Sequence, residues 1–345
     1  MLGCMERLRN KRSYRVAIVG ATGAVGRKLV AILDERRFAV SELLPFASRA
    51  GGRTVTFGGR TVEIRPIEED AFEDVDIAFF AAGGSVSRDL VPAAARAGAL
   101  VIDKSSVFRL EPDVPLVVPE VNGADIETAS RGIIANPNCS TSQLVMAIAP
   151  LHERAGLRRL LVDTYQAVSG AGLAGSEELE QGTRAALEGA EPPAPRTFAR
   201  PIAFNAVAQI DSFHPDGFTG EELKVVNETR KILHLPDLRV SCTAVRVPVF
   251  VGHSEAVSME FDGPLSPDEA RAILAATPGV VVMDDPSSSV FPTPLDARDR
   301  DEVFVGRIRT DPSCTNGLHL WCVSDNLRKG AATNAVQIAE HACRP

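Results

Sequence analysis

Cys139 lies in the run Asn136-Pro137-Asn138-Cys139-Ser140-Thr141, which follows an apolar strand-like segment and opens a helical pattern. A thiol at a helix N-terminus has its thiolate favoured by the dipole and by the free N–H groups there. Those N–H groups are also suited to hold an oxyanion. Asn, Ser and Thr on either side suit helix caps better than a core, so Cys139 reads as a nucleophile. A second run, Gly20-Ala21-Thr22-Gly23-Ala24-Val25-Gly26, joins the apolar strand of residues 14–19 to a helical pattern reaching Leu33. Strand, glycines and helix in that order are where a dinucleotide pyrophosphate sits. Glycine lets the backbone approach, and the helix start supplies N–H donors. The next strand ends Phe46-Ala47-Ser48-Arg49, without the acidic residue that would hold a ribose hydroxyl pair. Ser48 and Arg49 favour a 2′-phosphate, hence NADP(H).

These residues need a frame. Short apolar runs at 43–48, 75–82, 99–103, 116–121 and 132–137 alternate with helical patterns or loops, including a helix at 91–98. Such alternation predicts an α/β fold, a Rossmann-type doubly wound domain with a parallel sheet, over residues 14–138. Beyond Cys139 the order is less regular. A helix is followed by the strand 157–169, a Gly-rich turn and a polar, Pro-rich stretch at 188–201 that reads as an exposed loop. Further on come a helix at 221–233, strands near 240–262 and 302–323, and a helix at 265–276. That mixture predicts an α+β second domain over 139–324, with residues 325–345 returning to the first domain. Residues 1–13 carry four of the five basic side chains of an N-terminal run ending at Arg15 and read as a disordered tail.

Composition narrows the partners. The 345 residues carry a net charge of −8, and aromatics are limited to 15 Phe, 2 Tyr and 1 Trp. An acidic chain with few stacking side chains is not built to bind nucleic acid. No apolar run approaches the ~20 residues of a membrane helix, and no signal sequence is visible. Six scattered cysteines fit reduced thiols and a cytoplasmic location; no spacing suggests a metal site.

Taken together, GATGAVG, DKSSVFR (103–109), NPNCST, QAVSGAG (166–172), EELKVVNETRKI (221–232), RVPVFVGHSE (246–255), VGRIRTD (305–311) and DNLRKGAATNAVQIAE (325–340) resemble the aspartate-semialdehyde dehydrogenases. The likeness spans nearly the whole chain from residue 14. It departs only in the basic N-terminal extension and in Ala208, where Pro is expected. The resemblance implies NADPH-dependent reductive dephosphorylation of L-aspartyl-4-phosphate to L-aspartate 4-semialdehyde, through a thioester on Cys139, in lysine, threonine and methionine biosynthesis. It implies a glyceraldehyde-3-phosphate-dehydrogenase-like second domain and a homodimer. It makes His253 the acid/base and Gln166 the orienting amide. Arg109, Lys224 and Asn138 would hold phosphate, Arg246 the α-carboxylate and Glu221 the α-amino group. Ser169, Gly170 and Asn326 would lie on the nicotinamide side, and Ser85 would line the cofactor loop. By spacing alone, Glu221 and Lys224 are an ordinary surface pair. Two rivals remain: an N-acetyl-γ-glutamyl-phosphate reductase, whose cysteine motif differs on both sides of the thiol, and a catalytically silent homologue acting as a binding protein.

Overall fold

The computed structural model describes residues 2–48, 51–68 and 70–344. Two compact units divide the chain, Met1–Asn138 with Ala331–Pro345, and Cys139–Gly330.

The first unit opens with helix α1 (Leu2–Arg9), followed by strand β1 (Tyr14–Val19), helix α2 (Ala24–Glu35) and strand β2 (Val40–Phe46). A hairpin, β3 (Thr54–Phe57) and β4 (Arg60–Glu63), precedes β5 (Ile77–Phe80), helix α3 (Gly84–Arg96), β6 (Leu100–Asp103), helix α4 (Pro119–Asn122) and β7 (Ile133–Ala135). The main sheet has the order β2-β1-β5-β6-β7, parallel throughout. Both faces are covered, so β1, β5 and β6 are nearly continuous apolar runs rather than alternating ones. The order reverses between β1 and β5, and ligands of such sheets bind at that point, outside the carboxyl ends of the strands. The doubly wound expectation therefore holds.

Three local expectations are corrected. The run at 116–121 is not a strand: Leu116 makes one isolated bridge, and Pro119 begins a short helix. Proline lacks the N–H a ladder needs but suits the first turn of a helix. Residues 2–13 are not a disordered tail. Met5 and Leu8 on α1 are buried in the same cluster as Tyr14, Leu33 and Ala339. Lys11 Nζ lies 2.6 Å from the carboxylate of buried Asp76. Apolar contact and a paired charge together outweigh the chain entropy that would leave the segment loose. The chain also returns later than residue 325. Asp325 accepts the N–H of Asp299 and Asn326 that of Gly252, which keeps 325–330 with the second unit.

The second unit contains α5 (Cys139–Ala155), β8 (Leu157–Gln166), α6 (Gly172–Leu187), α7 (Gly220–Ile232), β9 (Arg239–Arg246), β10 (His253–Phe261), α8 (Pro267–Ala276), β11 (Val280–Val282), α9 (Pro294–Ala297), β12 (Val303–Asp311) and β13 (Gly317–Ser324). Its mixed sheet runs β11-β12-β13-β10-β8-β9. Helix α5 is buried along almost its whole length, which is why its sequence shows only weak amphipathicity. Helix α6 was missed by sequence reading, since Gly172, Gly175 and Gly182 suggest a turn. Two of them are there for packing: a Cβ on Gly175 would stand 2.5 Å from Val168 O, and one on Gly182 would stand 3.1 Å from Ala203 Cβ.

Because Leu8 is fully buried, Leu8→Ala is expected to lower unfolding free energy by about 2–4 kcal/mol. Urea titration checks this; an unchanged midpoint and slope would mean that the segment carries no packing energy.

Candidate active site

In the second unit the thiol sits at the first residue of α5. Cys139 Sγ lies 3.3 Å from His253 Nε2. His253 opens β10 and is fully buried. Its other nitrogen, Nδ1, accepts the backbone N–H of Ala167 at 3.0 Å. A nitrogen that accepts cannot carry a proton, so neutral His253 bears its proton on Nε2, facing the sulfur. Protonating the ring at Nδ1 would set two N–H groups against each other. The arrangement therefore favours His253 as a donor to the sulfur over a base that takes the thiol's proton.

Gln143, one turn along α5 from the thiol, supports the histidine from behind. Its Nε2 donates to His253 O at 3.3 Å, and its Oε1 accepts Ser324 Oγ–H at 2.6 Å. Sequence reading missed Gln143, for which the only signal was its place four residues after Cys139 on the same helix face.

Gln166 ends β8 and is buried. Its Oε1 accepts Thr164 Oγ1–H and its Nε2 donates to Glu221 Oε1 at 2.9 Å. Glu221 opens α7, whose start is fixed by a capping box between Thr219 and Glu222. Lys224 Nζ reaches Glu221 Oε2 at 3.3 Å and Asp211 Oδ2 at 2.9 Å. The surface-pair reading is thus corrected, because the Glu221 carboxylate is 7% exposed and the Lys224 side chain 27%. Asp211 was missed by sequence reading. Its hydrogen bond from Lys224 holds the carboxyl below its usual range, against the opposing effect of burial.

Arg246 ends β9, 5% exposed, with Nη1 donating to Ala167 O at 2.7 Å. Burial pulls its guanidinium down from its ordinary value, while Glu221 and Cys139 pull the other way. Gly170 makes room for this group: a Cβ there would stand 2.8 Å from Arg246 Nη1 and 3.3 Å from His253 Nε2. Ser169 and Asn326 bond each other at 3.0–3.2 Å, and Asn326 Oδ1 accepts Gly252 N–H. Within this unit the structure thus gathers Cys139, His253, Gln166, Ser169, Gly170, Glu221, Lys224, Arg246 and Asn326 around the ends of β8, β9 and β10.

The first unit holds the rest. Gly20 has φ +91°, and a Cβ there would collide with Ala81 O at 2.8 Å; at Gly26 it would fall 2.1 Å from Gly20 O. Only glycine lets the loop fold this closely. Helix α2 has Gly23 as its N-cap and no side-chain cap. Within helix α2, the N–H groups of Ala24, Val25 and Gly26 precede that of Arg27, which donates to Gly23 O and closes the first helical turn. Thr22 lines an adjacent cavity of about 550 Å³ with Arg27, Arg53, Thr54 and Thr56. The loop thus fits a dinucleotide phosphate. Ser48 is exposed just past β2, and Ser85 lies exposed in the first turn of α3. Arg49 lies outside the described residues. Arg109 is buried and fastened to backbone, Nε to Asn136 O and Nη2 to Lys104 O; Asn138 is buried beside the end of this unit. Asp103 shapes the loop before Arg109 by accepting both hydroxyls of Ser87 and Ser105.

Glu255, two residues after His253 on the same inward face of β10, is fully buried and its carboxyl oxygens complete no hydrogen bond. Burial pushes this carboxyl well above its usual value, against a downward pull from the Gln143 amide. The unfolded chain releases that proton near pH 4.3 while the native chain keeps it. The stability this difference represents is therefore whole below about pH 4.3 and is lost as pH rises, by about 1.4 kcal/mol per unit, until the native group ionises. Glu255→Gln is expected to remove that slope. Unfolding free energies measured from pH 4 to 8 check this, and parallel curves for the two proteins would refute it.

Comparison with known proteins agrees with this division. A family model described as semialdehyde dehydrogenase, NAD binding domain, matches residues 15–129, and one described as semialdehyde dehydrogenase, dimerisation domain, matches 148–329. The chain is 53% identical to the aspartate-semialdehyde dehydrogenase of Aquifex aeolicus, over 95% of this chain and 97% of the relative. Among solved structures, aspartate semialdehyde dehydrogenase II of Vibrio cholerae complexed with ASA superposes with a TM-score of 0.93. It is 48% identical, over 96% of this chain and 98% of that one. A Candida albicans aspartate semialdehyde dehydrogenase with NADP gives a TM-score of 0.72 at 25% identity, over 95% and 98%.

Proposed function

The chain belongs to the aspartate-semialdehyde dehydrogenase family, and on that premise we propose that it reduces L-aspartyl-4-phosphate to L-aspartate 4-semialdehyde and phosphate with NADPH, as a cytoplasmic homodimer. The observation that carries the chemistry is the 3.3 Å approach of Cys139 Sγ to a histidine whose other nitrogen is occupied. The α5 N-terminus and the His253 Nε2–H both favour the thiolate. Sγ attacks the acyl carbon; the carbon–sulfur bond forms as the bond to phosphate oxygen breaks, the electron pair leaves with phosphate, and the departing phosphate takes up a proton from solvent. NADPH bound at the glycine loop supplies the hydride that reduces the Cys139 thioester. Once its carbonyl carbon has gained a hydride, the hemithioacetal on Cys139 re-forms the C=O bond as the carbon–sulfur bond breaks, and the bonding pair returns to Sγ, where Nε2–H steadies the charge.

The other side chains act by position. Arg246 offers a guanidinium fork to the α-carboxylate. Glu221 offers an anion to the free α-amino group, which an N-acylated substrate lacks; this disfavours the N-acetyl-γ-glutamyl-phosphate reductase. Arg109, Lys224 and Asn138 serve the phosphate, Gln166 the acyl group, and Ser169, Gly170, Asn326 and Ser85 the cofactor. The silent-homologue reading lacks support, since nucleophile and histidine are in contact. For the dimer, the second unit exposes Tyr165, Phe291 and Leu295. No described helix is long and apolar enough to cross a membrane.

Phosphate-dependent NADPH formation from aspartate semialdehyde, and none from N-acetylglutamate semialdehyde, is the expected result of a side-by-side assay. Cys139→Ser is expected to lose at least about 10³-fold in kcat while still binding NADP. Turnover near wild type in that variant would exclude the thioester. The choice of NADP over NAD rests on Arg53 and Arg27 around the cavity next to the glycine loop. Arg53→Ala is expected to reduce kcat/KM with NADP about tenfold and leave NAD unaffected. Equal losses with both cofactors would remove Arg53 from 2′-phosphate recognition.

A further inference from the structure

The Pro-rich stretch 188–201 read as an exposed loop with no part in the chemistry, and most of it is exposed. Phe198 is half-buried. It packs against the buried cluster of Val168, Leu179, Ile202 and Val207, and its ring stands 5.9 Å from Arg246 Cζ. The loop is held in place at that residue. The Glu178 carboxylate, on α6, accepts the backbone N–H groups of Arg196 at 3.0 Å and Thr197 at 2.6 Å. Burial pushes the Glu178 carboxyl up, but these bonds outweigh it and hold the group below its usual value. Downstream, Val207 exchanges both backbone hydrogen bonds with Arg246 at 2.8–2.9 Å. The loop is thus tied on both sides of Phe198, to α6 before it and to the end of β9 after it.

We propose that Phe198 is a positioning residue for Arg246, so that this loop sets how firmly the site grips the substrate's α-carboxylate. This rests on the reading of Arg246 as the carboxylate partner. A free arginine samples many rotamers, and each must be given up when a carboxylate binds. Here Ala167 O holds one nitrogen and the Phe198 ring covers the guanidinium, so much of that freedom is already gone before substrate arrives.

The test is steady-state kinetics of the phosphate-dependent oxidation of aspartate semialdehyde. Phe198→Leu keeps the apolar volume without the ring face. It is expected to raise KM for the aldehyde about three- to tenfold, with kcat and the KM values for phosphate and NADP within about twofold. Phe198→Tyr keeps the ring and is expected to restore the wild-type KM. Glu178→Gln, which loosens the loop without touching the ring, is expected to raise the same KM by a smaller factor. In an Arg246→Lys background, Phe198→Leu should add little further. An unchanged aldehyde KM in Phe198→Leu, an equal rise in Phe198→Tyr, or a parallel change in all three KM values would overturn the inference. Absence of turnover in the wild-type enzyme would instead overturn the function on which it rests.

Discussion

The backbone of Ala167 holds two side chains at once. Its N–H donates to His253 Nδ1 and its carbonyl accepts Arg246 Nη1. The first bond places the imidazole proton on the sulfur side; the second aims the guanidinium. The two peptides that flank Ala167 are themselves fixed, because Val247 N–H donates to Gln166 O and Val168 N–H to Val249 O. A shift of this short stretch would therefore move His253 and Arg246 together. Such coupling is a reason for building a site where strands end on a rigid sheet rather than on an isolated loop.

Around this centre the structure buries polar groups at some cost. Gln166, Glu221, Lys224 and Asp211 form one continuous hydrogen-bonded chain that runs from buried Gln166 and Glu221 through half-buried Lys224 to exposed Asp211. The buried Glu221 carboxylate would be expensive to leave unpaired. Glu255 is the exception: among the described residues its carboxyl oxygens complete no hydrogen bond, and burial pushes the group well above its usual value, which favours the neutral acid. The acidic net charge of −8 thus says little about a site whose fixed charges are arranged one by one. The basic groups Arg27 and Arg53 around one cavity, and Arg246 and Lys224 in the second unit, are local departures from the chain's average.

Local sequence was legible where one element contains the whole signal. The strand-glycine-helix run at 14–33 could be read because the steric demand on Gly26 comes from Gly20, within the same seven-residue run. The thiol at a helix start was legible for the same reason. Misreadings occurred where long-range packing overrode local preference. Helix α6 carries glycines for close approach rather than for turning, and the basic N-terminal segment folds because Met5 and Leu8 find a core elsewhere in the chain.

By itself the sequence determined the fold class and the family, and it singled out Cys139 and the Gly20–Gly26 loop as candidates for chemistry and cofactor binding. Each depends on residue type and short spacing, which a chain carries before it folds. Only the tertiary structure decided which nitrogen of His253 holds the proton, that Glu221 is buried and Lys224 half-buried rather than a surface pair, and that Phe198 lies over Arg246. Those contacts join residues 86 positions apart for Ala167 and His253 and 55 apart for Gln166 and Glu221. Their geometry follows from sheet order and strand register, which arise from burial summed over the whole unit.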